Sequence, residues 1–188
     1  MKKLVLASKS PRRKKILTDM GLVFDIIPSK EEEKLDNFEF TYPKIENLAY
    51  SKAKSICDEC DKDTLIISAD TVVILDEKIL NKPKNKEKAY EMLNALSGRE
   101  HKVVTAICIF DNSNQNYKIK SVTSYVEFNE LTKEMITYYI DKYNPLDKAG
   151  AYGIQELPDG WVKNINGSLE NIIGICPKSL NTILQEFQ

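Results

Sequence analysis

The stretch MKKLVLASKSPRRKKIL, residues 1–17, combines a strand, a turn and the start of a helix. Leu4 to Ala7 form an apolar run typical of a strand, and a helical pattern begins at Ile16. Ser10 is a favourable N-cap, and Pro11 suits the first helical turn, where its missing N–H costs nothing. The segment therefore predicts a strand, a tight turn and a capped helix in immediate succession.

The turn within this stretch carries positive charge next to the predicted helix N-terminus. Lys9, Arg12 and Arg13 surround that end, where unpaired N–H groups and the helix dipole favour an anion. The hydroxyls of Ser8 and Ser10 add hydrogen-bond donors. This arrangement suits a polyphosphate. A solvated basic terminus with an ordinary capped helix is the alternative, and the segment alone leaves both interpretations open.

The composition is that of a balanced chain of 188 residues, with 27 basic and 28 acidic side chains and a formal net charge of −1. This length suits one domain, expected to span residues 1–188. The balanced charge argues against stable nucleic-acid binding, so an anion site must come from local charge. No segment approaches membrane-spanning length, and the first apolar run is too short for a signal sequence. We therefore expect a soluble, cytoplasmic protein without a membrane partner.

Two of the four cysteines, Cys57 and Cys60, have the Cys-x-x-Cys spacing of some zinc and redox sites. No second Cys or His pair completes a zinc site. The neighbouring acids should also raise the pKa of both thiols. A structural role is therefore favoured for this pair.

The apolar patterns predict a mixture of strands and helices without regular alternation or internal repeats. Strands are expected at 24–27, 65–75, 79–80, 103–110 and 117–128, and helices at 44–57, 86–96, 132–142 and 178–187. The acidic stretch 29–40 and the stretch 145–171, which contains several glycines, are expected to be loops. These elements indicate an α/β or α+β protein with a mixed rather than fully parallel sheet.

Asp70 interrupts the strongest predicted strand, LIISADTVVIL. Burying a carboxylate in such a strand costs free energy unless a cation or metal faces it. Carboxylates in such environments are common at functional sites, so a functional role is favoured over a structural one. Thr71 follows it, facing either the opposite side of the strand or the edge of a pocket. Lys82 precedes Pro83 on a rigid turn, and Lys52 lies on a predicted helix; each alone could be an ordinary exposed or snorkelling lysine.

The segment DKAGAYGIQ, residues 147–155, combines small residues with polar side chains around Tyr152. Its glycines allow the backbone to approach a ligand closely, and Gln155 offers a donor and an acceptor suited to a base edge. His101 is the single histidine, which argues against Ser-His-Asp or Cys-His catalysis beyond this one candidate. A cap or surface role is the simpler expectation for it.

Taken in order, these motifs resemble the Maf family of nucleotide pyrophosphatases. The matching pieces are ASKSPRR (7–13), the acids 31–33, LAYSKA (48–53), SADTVV (68–73), NKP (81–83), GREHKVVTA (98–106), PLDKAGAYGIQ (145–155) and NGSLENIIG (166–174). The resemblance implies an elongated, two-lobed α/β fold, a mixed twisted sheet flanked by helices with a central cleft, similar to inosine triphosphate pyrophosphatases. It also implies hydrolysis of a nucleoside triphosphate to the monophosphate and pyrophosphate.

Two motifs, SADTVV (68–73) and DKAGAYGIQ (147–155), resemble those of the branch of that family that acts on dTTP and UTP. By resemblance, Asp70 is the proton acceptor and a metal ligand, while Arg12, Thr71 and Gln155 govern base selection. Glu33 is chosen as the second metal ligand for Mg²⁺ or Mn²⁺, although the acidic run leaves its position ambiguous. The phosphates are assigned to Ser8, Ser10, Arg13, Lys52 and Lys82.

Departures from the family pattern occur after the cleft motif, where Glu156 replaces the usual Gly and Leu169 the usual aromatic residue. Two alternatives to the dTTP and UTP assignment stay open: a 7-methyl-GTP pyrophosphatase, and a non-enzymatic nucleotide-binding regulator of cell division. The sequence also leaves open whether the protein is a monomer or a homodimer.

Overall fold

The computed structural model describes residues 2–31 and 39–187 of the chain. The strands are β1 (Lys3–Leu6), β2 (Asp25–Ile26), β3 (Thr64–Leu75), β4 (Lys78–Leu80), β5 (Glu100–Asp111), β6 (Tyr117–Phe128) and β7 (Val162–Asn166). The α-helices are α1 (Pro11–Asp19), α2 (Tyr42–Lys54), α3 (Lys86–Leu96), α4 (Lys133–Tyr143), α5 (Leu169–Ile173) and α6 (Pro177–Leu184). Short 3₁₀ turns lie at Cys57–Glu59, Pro145–Asp147, Ala149–Ala151, Ile154–Glu156 and Gln185–Phe187.

The described strands form one mixed sheet in the order β2-β1-β3-β5-β6-β7, with β4 paired to β3. β1 is parallel to both β2 and β3, and every other pairing is antiparallel. The mixed sheet predicted from the sequence is therefore confirmed. β3 is central and buried along almost its whole length, because both of its faces are covered by helices, and this accounts for its continuous apolar sequence.

One edge of β3 is divided between two partners. β1 pairs with residues 64–67 of β3, and β4 pairs with residues 73–75. Between them, residues 68–72 have no strand partner on that side within the described part of the chain. The chain leaves the sheet at Ala7, whose N–H still donates to the Ile67 carbonyl at 2.8 Å. The turn into α1 therefore passes beside this gap in the sheet edge.

The side chains of β3 alternate between two sides of the sheet. Ile66, Val72 and Ile74 pack with Ile45 and Ala49 of α2. Burial of each such aliphatic side chain contributes about 1.5–3 kcal/mol.

On the opposite side, Ile67 packs with Leu17 of α1 and Leu180 of α6. Val73, further along the same face, packs in a third cluster with Leu93 of α3. Because successive residues of a strand face opposite sides, Asp70 points toward α2 and Thr71 points away from it.

Local sequence signals give several elements their observed bounds. The predicted helix 86–96 and the predicted strand 117–128 match α3 and β6. Ser10 caps α1 as expected, since its Oγ accepts from the Arg13 N–H at 3.4 Å and Pro11 occupies the first turn. In residues 2–31 and 39–187, no helix has the length and apolar character needed to span a bilayer.

The expected loop at 145–171 is the main error in the sequence prediction. It contains β7, which pairs antiparallel with β6, and the start of α5. β7 has a polar sequence and is exposed at most positions, as an edge strand can be, so no apolar alternation reveals it. Its position is set by pairing with β6 rather than by local preference.

Candidate active site

A cleft of about 590 Å³ opens beside the gap in the edge of β3. Its wall includes residues from the β1–α1 turn, from β3, from the loop after β4 and from the segment 147–155. Most of the residues proposed from the sequence line this cleft, namely Ser8, Ser10, Arg12, Arg13, Lys52, Thr71, Lys82 and Gln155. Asp70 does not belong to the described wall, and Glu33 lies outside the described residues.

Arg13 connects three parts of the cleft. Its Nε donates to the Gly174 carbonyl at 3.2 Å, its Nη1 to Ser8 Oγ at 3.3 Å and its Nη2 to Thr71 Oγ1 at 3.1 Å. Because the bonds to Ser8 and Thr71 hold the Arg13 guanidinium at the cleft wall, its charge faces the space that an anion would occupy. The bonds also fix the start of α1 against β3 and against the end of α5.

Lys52 and Asp70 form a buried ion pair between α2 and β3. Lys52 is 6 % exposed and Asp70 is 2 % exposed. A charge at this depth is tolerated only next to an opposite charge, and Lys52 and Asp70 provide that charge for each other. Because Lys52 also lines the cleft, its ammonium lies between the buried carboxylate and the space that a ligand would occupy.

Thr71 lies on the face of β3 opposite to that of Asp70, and its side chain lines the cleft. Its Oγ1 lies 2.9 Å from the Oγ1 of Thr105, the residue paired with it on β5. Thr105 is fully buried, and its hydroxyl donates to the Asn171 carbonyl at 2.9 Å. Asn171, also fully buried, donates its side-chain amide to the Val103 carbonyl and to Ser124 Oγ. These bonds attach α5 to the sheet behind Thr71.

The segment 147–155 lies against β3 because of a glycine. Gly150 has a φ of +66°, and a Cβ there would lie 2.9–3.0 Å from the side chain of Val73. Any other residue at this position would push the segment away from the strand. Further along, the Gly153 N–H donates to Tyr139 Oη at 3.0 Å. Both contacts hold the backbone on either side of Tyr152, while the Gln155 side chain stays exposed in the cleft.

A chain of charges runs along the same segment. The buried ammonium of Lys148 lies 2.8 Å from Asp147 Oδ1 and 3.3 Å from Glu156 Oε2. Arg12 Nη1 lies 3.8 Å from Asp147 Oδ2. Partial burial acts to raise the pKa of Asp147, but Lys148 and Arg12 outweigh it and hold that pKa below its ordinary value. The charges therefore link α1 to the segment that carries Gln155.

His101 corrects the sequence-based expectation of a cap or surface role. It is 2 % exposed, and its Nε2 lies 2.7 Å from Tyr152 Oη. Burial lowers its pKa from 6.5 to about 4, so the imidazole is neutral at physiological pH. The rings of Phe128 and Tyr152 pack edge-on against it. His101 thus supports the cleft segment from behind.

The acidic side chains near the cleft indicate how a divalent cation could bind. The described ranges contain no group of three or more His, Cys, Asp or Glu side chains placed to hold one ion. Mg²⁺ usually takes one or two carboxylates together with phosphate oxygens and waters, rather than a full protein cage. The Asp70 carboxylate next to the cleft, together with Glu31 on its wall, fits that mode of binding.

Thr105, Asn171 and Lys148 contribute to the site but were not predicted to do so from the sequence. Thr105 carried a usable signal, because it is a polar residue in the apolar strand VVTAICIF, as Asp70 is in β3. Lys148 belongs to the segment 147–155, but nothing in the sequence indicates that its side chain is buried. Asn171 carried no local signal, since its role depends on contacts with β5 and β6.

The fold and the cleft define an α/β protein with a mixed sheet and a cation-rich pocket at the sheet edge. Two solved structures share the fold. The Staphylococcus aureus Ham1 protein has a TM-score of 0.52 at 18% identity, with full coverage of both chains. A Mycobacterium abscessus protein described as a nucleoside-triphosphatase and dITP/XTP pyrophosphatase has a TM-score of 0.50 at 10% identity, covering 98% of this chain and 94% of that one.

The sequence comparison is more specific. The family model described as Maf-like protein matches residues 3–187, and the chain belongs to this family. A Ruminiclostridium cellulolyticum protein named dTTP/UTP pyrophosphatase is 43% identical over 187 residues, covering 99% of this chain and 96% of its own length. Proteins of the same name from Caldicellulosiruptor saccharolyticus and Alkaliphilus oremlandii are 41% and 40% identical, with coverage of 95% or more of each chain.

Proposed function

We propose that this protein hydrolyses dTTP and UTP to the nucleoside monophosphate and pyrophosphate with the help of Mg²⁺ or Mn²⁺. The observation that carries the proposal is the cleft, which brings six cationic side chains and the Gln155 amide together beside a buried carboxylate. The cations are Lys9, Arg12, Arg13, Lys52, Lys82 and Lys148. Full-length similarity to proteins named dTTP/UTP pyrophosphatase supports the same substrate class. The role would be housekeeping of the cytoplasmic nucleotide pool.

The phosphate chain would lie along the β1–α1 turn. Arg13 is held by three bonds to the protein and lines this part of the cleft, and the N-terminus of α1 adds backbone N–H groups. Lys52 and Lys82 line the same cleft. Fixed donors of this kind stabilise charge that develops on the leaving pyrophosphate, and removing one typically costs about 10²–10³-fold in rate.

The chemical step would be attack of a water oxygen on the α-phosphorus. A new bond forms between that oxygen and the phosphorus, and the bond from the α-phosphorus to the bridging oxygen breaks, so that pyrophosphate leaves with the electron pair. Asp70 would accept the proton that the water loses. A bound divalent cation would supply Lewis-acid stabilisation of the phosphate charge.

The position of Asp70 makes Lys52 part of this step. The carboxylate lies behind the Lys52 ammonium rather than on the cleft wall. A triphosphate would draw Lys52 toward its oxygens and thereby open the carboxylate to the cleft. Lys52 would therefore exchange part of its interaction with Asp70 for one with phosphate as the nucleotide binds.

Base selection is assigned to the other end of the cleft. Gln155 is exposed there on a segment fixed by Gly150 and Gly153. Its amide NH₂ can donate to a carbonyl of uracil or thymine. Arg12 and Thr71 border the same space. A purine would leave part of this pattern unpaired.

The test is a substrate panel with the purified protein and Mg²⁺ or Mn²⁺, containing dTTP, UTP, CTP, ATP, GTP and 7-methyl-GTP. Monophosphate and pyrophosphate are both quantified, and an Asp70→Asn variant purified in parallel controls for contaminating enzymes. We expect dTTP and UTP to have the highest kcat/KM. A preference for 7-methyl-GTP would refute the branch assignment. Nucleotide binding without turnover would instead favour a regulator, and release of orthophosphate would show cleavage at a different bond.

A further inference from the structure

The hydrogen bonds behind Thr71 have a defined direction. Thr105 has one hydroxyl hydrogen, and it donates that hydrogen to the Asn171 carbonyl, which can only accept. In the contact of 2.9 Å between Thr105 Oγ1 and Thr71 Oγ1, the donor must therefore be Thr71. Arg13 Nη2 donates to Thr71 in turn. The four groups form one chain in which every hydrogen points from Arg13 toward Asn171.

This chain determines what Thr71 can offer to a ligand. The hydroxyl hydrogen of Thr71 is used by Thr105, and one of its two lone pairs is used by Arg13. Thr71 Oγ1 can therefore take part in a further hydrogen bond only as the acceptor. Because Thr71 lines the cleft, it presents an acceptor to whatever occupies the cleft.

An acceptor of this kind discriminates between the two ends of a nucleotide. Ionised phosphate oxygens carry no donor and gain nothing from Thr71 Oγ1. The nucleoside carries donors, such as N3–H of uracil and thymine or the hydroxyls of the sugar. Thr71 therefore suits the nucleoside end, next to the phosphate end that begins at Arg13.

We propose that Thr105 is a positioning residue that holds the Thr71 hydroxyl as an acceptor for the N3–H of uracil or thymine, and so favours these bases over cytosine, which has an acceptor at N3. The proposal rests on the function proposed above and assigns a new residue to its selectivity. Thr105 is fully buried and does not line the described cleft, so it acts through Thr71. Without it, the Thr71 hydrogen would be free to turn toward the ligand, and the site would accept cytosine as readily as uracil.

The experiment compares Thr105→Val, which keeps the shape but removes the hydroxyl, with Thr105→Ser, which keeps the hydroxyl. Thr105→Val should lower the ratio of kcat/KM for UTP to that for CTP by about tenfold, the worth of one buried hydrogen bond. Thr105→Ser should keep the ratio. Thr71→Val and the Thr71→Val/Thr105→Val double variant should show the same ratio as each other, because both changes act through one hydroxyl.

Two further comparisons distinguish base selection from a purely structural role of Thr105 and from a contact between Thr71 and the sugar. If Thr105 served only the fold, Thr105→Val would lower the melting temperature and reduce kcat/KM for UTP and CTP by one common factor, and an unchanged ratio would overturn the proposal. If Thr71 accepted from a sugar hydroxyl, N3-methyl-UTP would keep the effect, which would also overturn the proposal. Equilibrium binding of UMP and CMP to the same variants should give the same change in ratio. This binding measurement tests Thr105 even if the protein proved not to hydrolyse nucleotides.

Discussion

Replacement of Asp70 by Asn should affect both the chemistry and the stability of the protein. The side chain keeps its shape but loses the charge that faces the Lys52 ammonium. It also loses the ability to take a proton from water. We expect turnover of dTTP to fall by about a thousandfold, within the range that a general base contributes.

The size of the stability loss follows from the depth of the pair. Lys52 and Asp70 are 6% and 2% exposed, so solvent screens their interaction little. Removing one partner of a buried pair costs about 3–5 kcal/mol, and the Asn carbonyl, which still accepts a hydrogen bond, places the loss near the lower limit. For a chain of this size, about 3 kcal/mol corresponds to a decrease of about 6–12 °C in melting temperature.

Urea unfolding and thermal melting measure this loss, and pyrophosphate release measures the chemistry. The Lys52→Met/Asp70→Leu double variant should recover most of the stability, because it buries no charge, yet stay inactive. Glu127→Gln is the matched control, since it breaks the more exposed pair with Lys163 and should change stability by less than about 1 kcal/mol. Near-normal turnover in Asp70→Asn would refute the proton-acceptor role, and unchanged stability would refute the structural role of the pair.

Three further predictions concern the cleft and its support. Arg13→Ala and Lys82→Ala should each lower kcat/KM for dTTP by about a hundredfold if they contact transition-state charge, and an unchanged value would remove that residue from the phosphate site. Gln155→Ala should reduce the preference for UTP over GTP more than it reduces kcat, as a substrate panel would show; a proportional loss for both nucleotides would argue against base reading. His101 has a folded pKa of about 4 against 6.5 in the unfolded chain, so its stabilising contribution is complete above about pH 6.5 and is lost as the pH falls toward 4. Between about pH 7.5 and 5 this amounts to about 2 kcal/mol in urea unfolding, and a His101→Gln variant with the same pH dependence would contradict it.

The parts of the fold that were predictable are those with strong local signals. Asn85 caps α3 through its side chain, which accepts from the Lys88 N–H at 2.9 Å, and Gly98, with a φ of +68°, follows the end of the helix. β3 is a long apolar run with strong β preference. In such segments the pattern of neighbouring residues and the tertiary environment favour the same structure.

The parts that were missed depend on contacts between distant segments. β7 has polar, exposed side chains and exists as a strand because it pairs with β6. α5 has only five residues, too few to form alone, and the buried side chain of Asn171 fastens it to β5 and β6. Neither cause is visible in a window of sequence.

The candidate site shows the same division. The residue types that suggested a phosphate site were recognisable, and most of them line one cleft. Their partners were not recognisable, because Lys52 and Asp70 are 18 residues apart and His101 meets Tyr152 across 51 residues. The chemical identity of a residue can be seen in the sequence, but the residue that sets its charge or orientation is found only in the folded chain.

The cleft wall includes residues from Ala7 near the start of the chain to Ile173 near its end. A chain that stops before Ile173 lacks part of the cleft wall, so a growing chain on the ribosome gains the whole described cleft only after residue 173 has been added. A bound nucleotide consequently opposes unfolding of the whole protein, by about 2.7 kcal/mol at a concentration one hundred times its Kd. Thermal melting with increasing UMP would measure this effect. Under the proposed function, the nucleotide pool that the protein clears would also protect it from unfolding, most strongly when that pool is full.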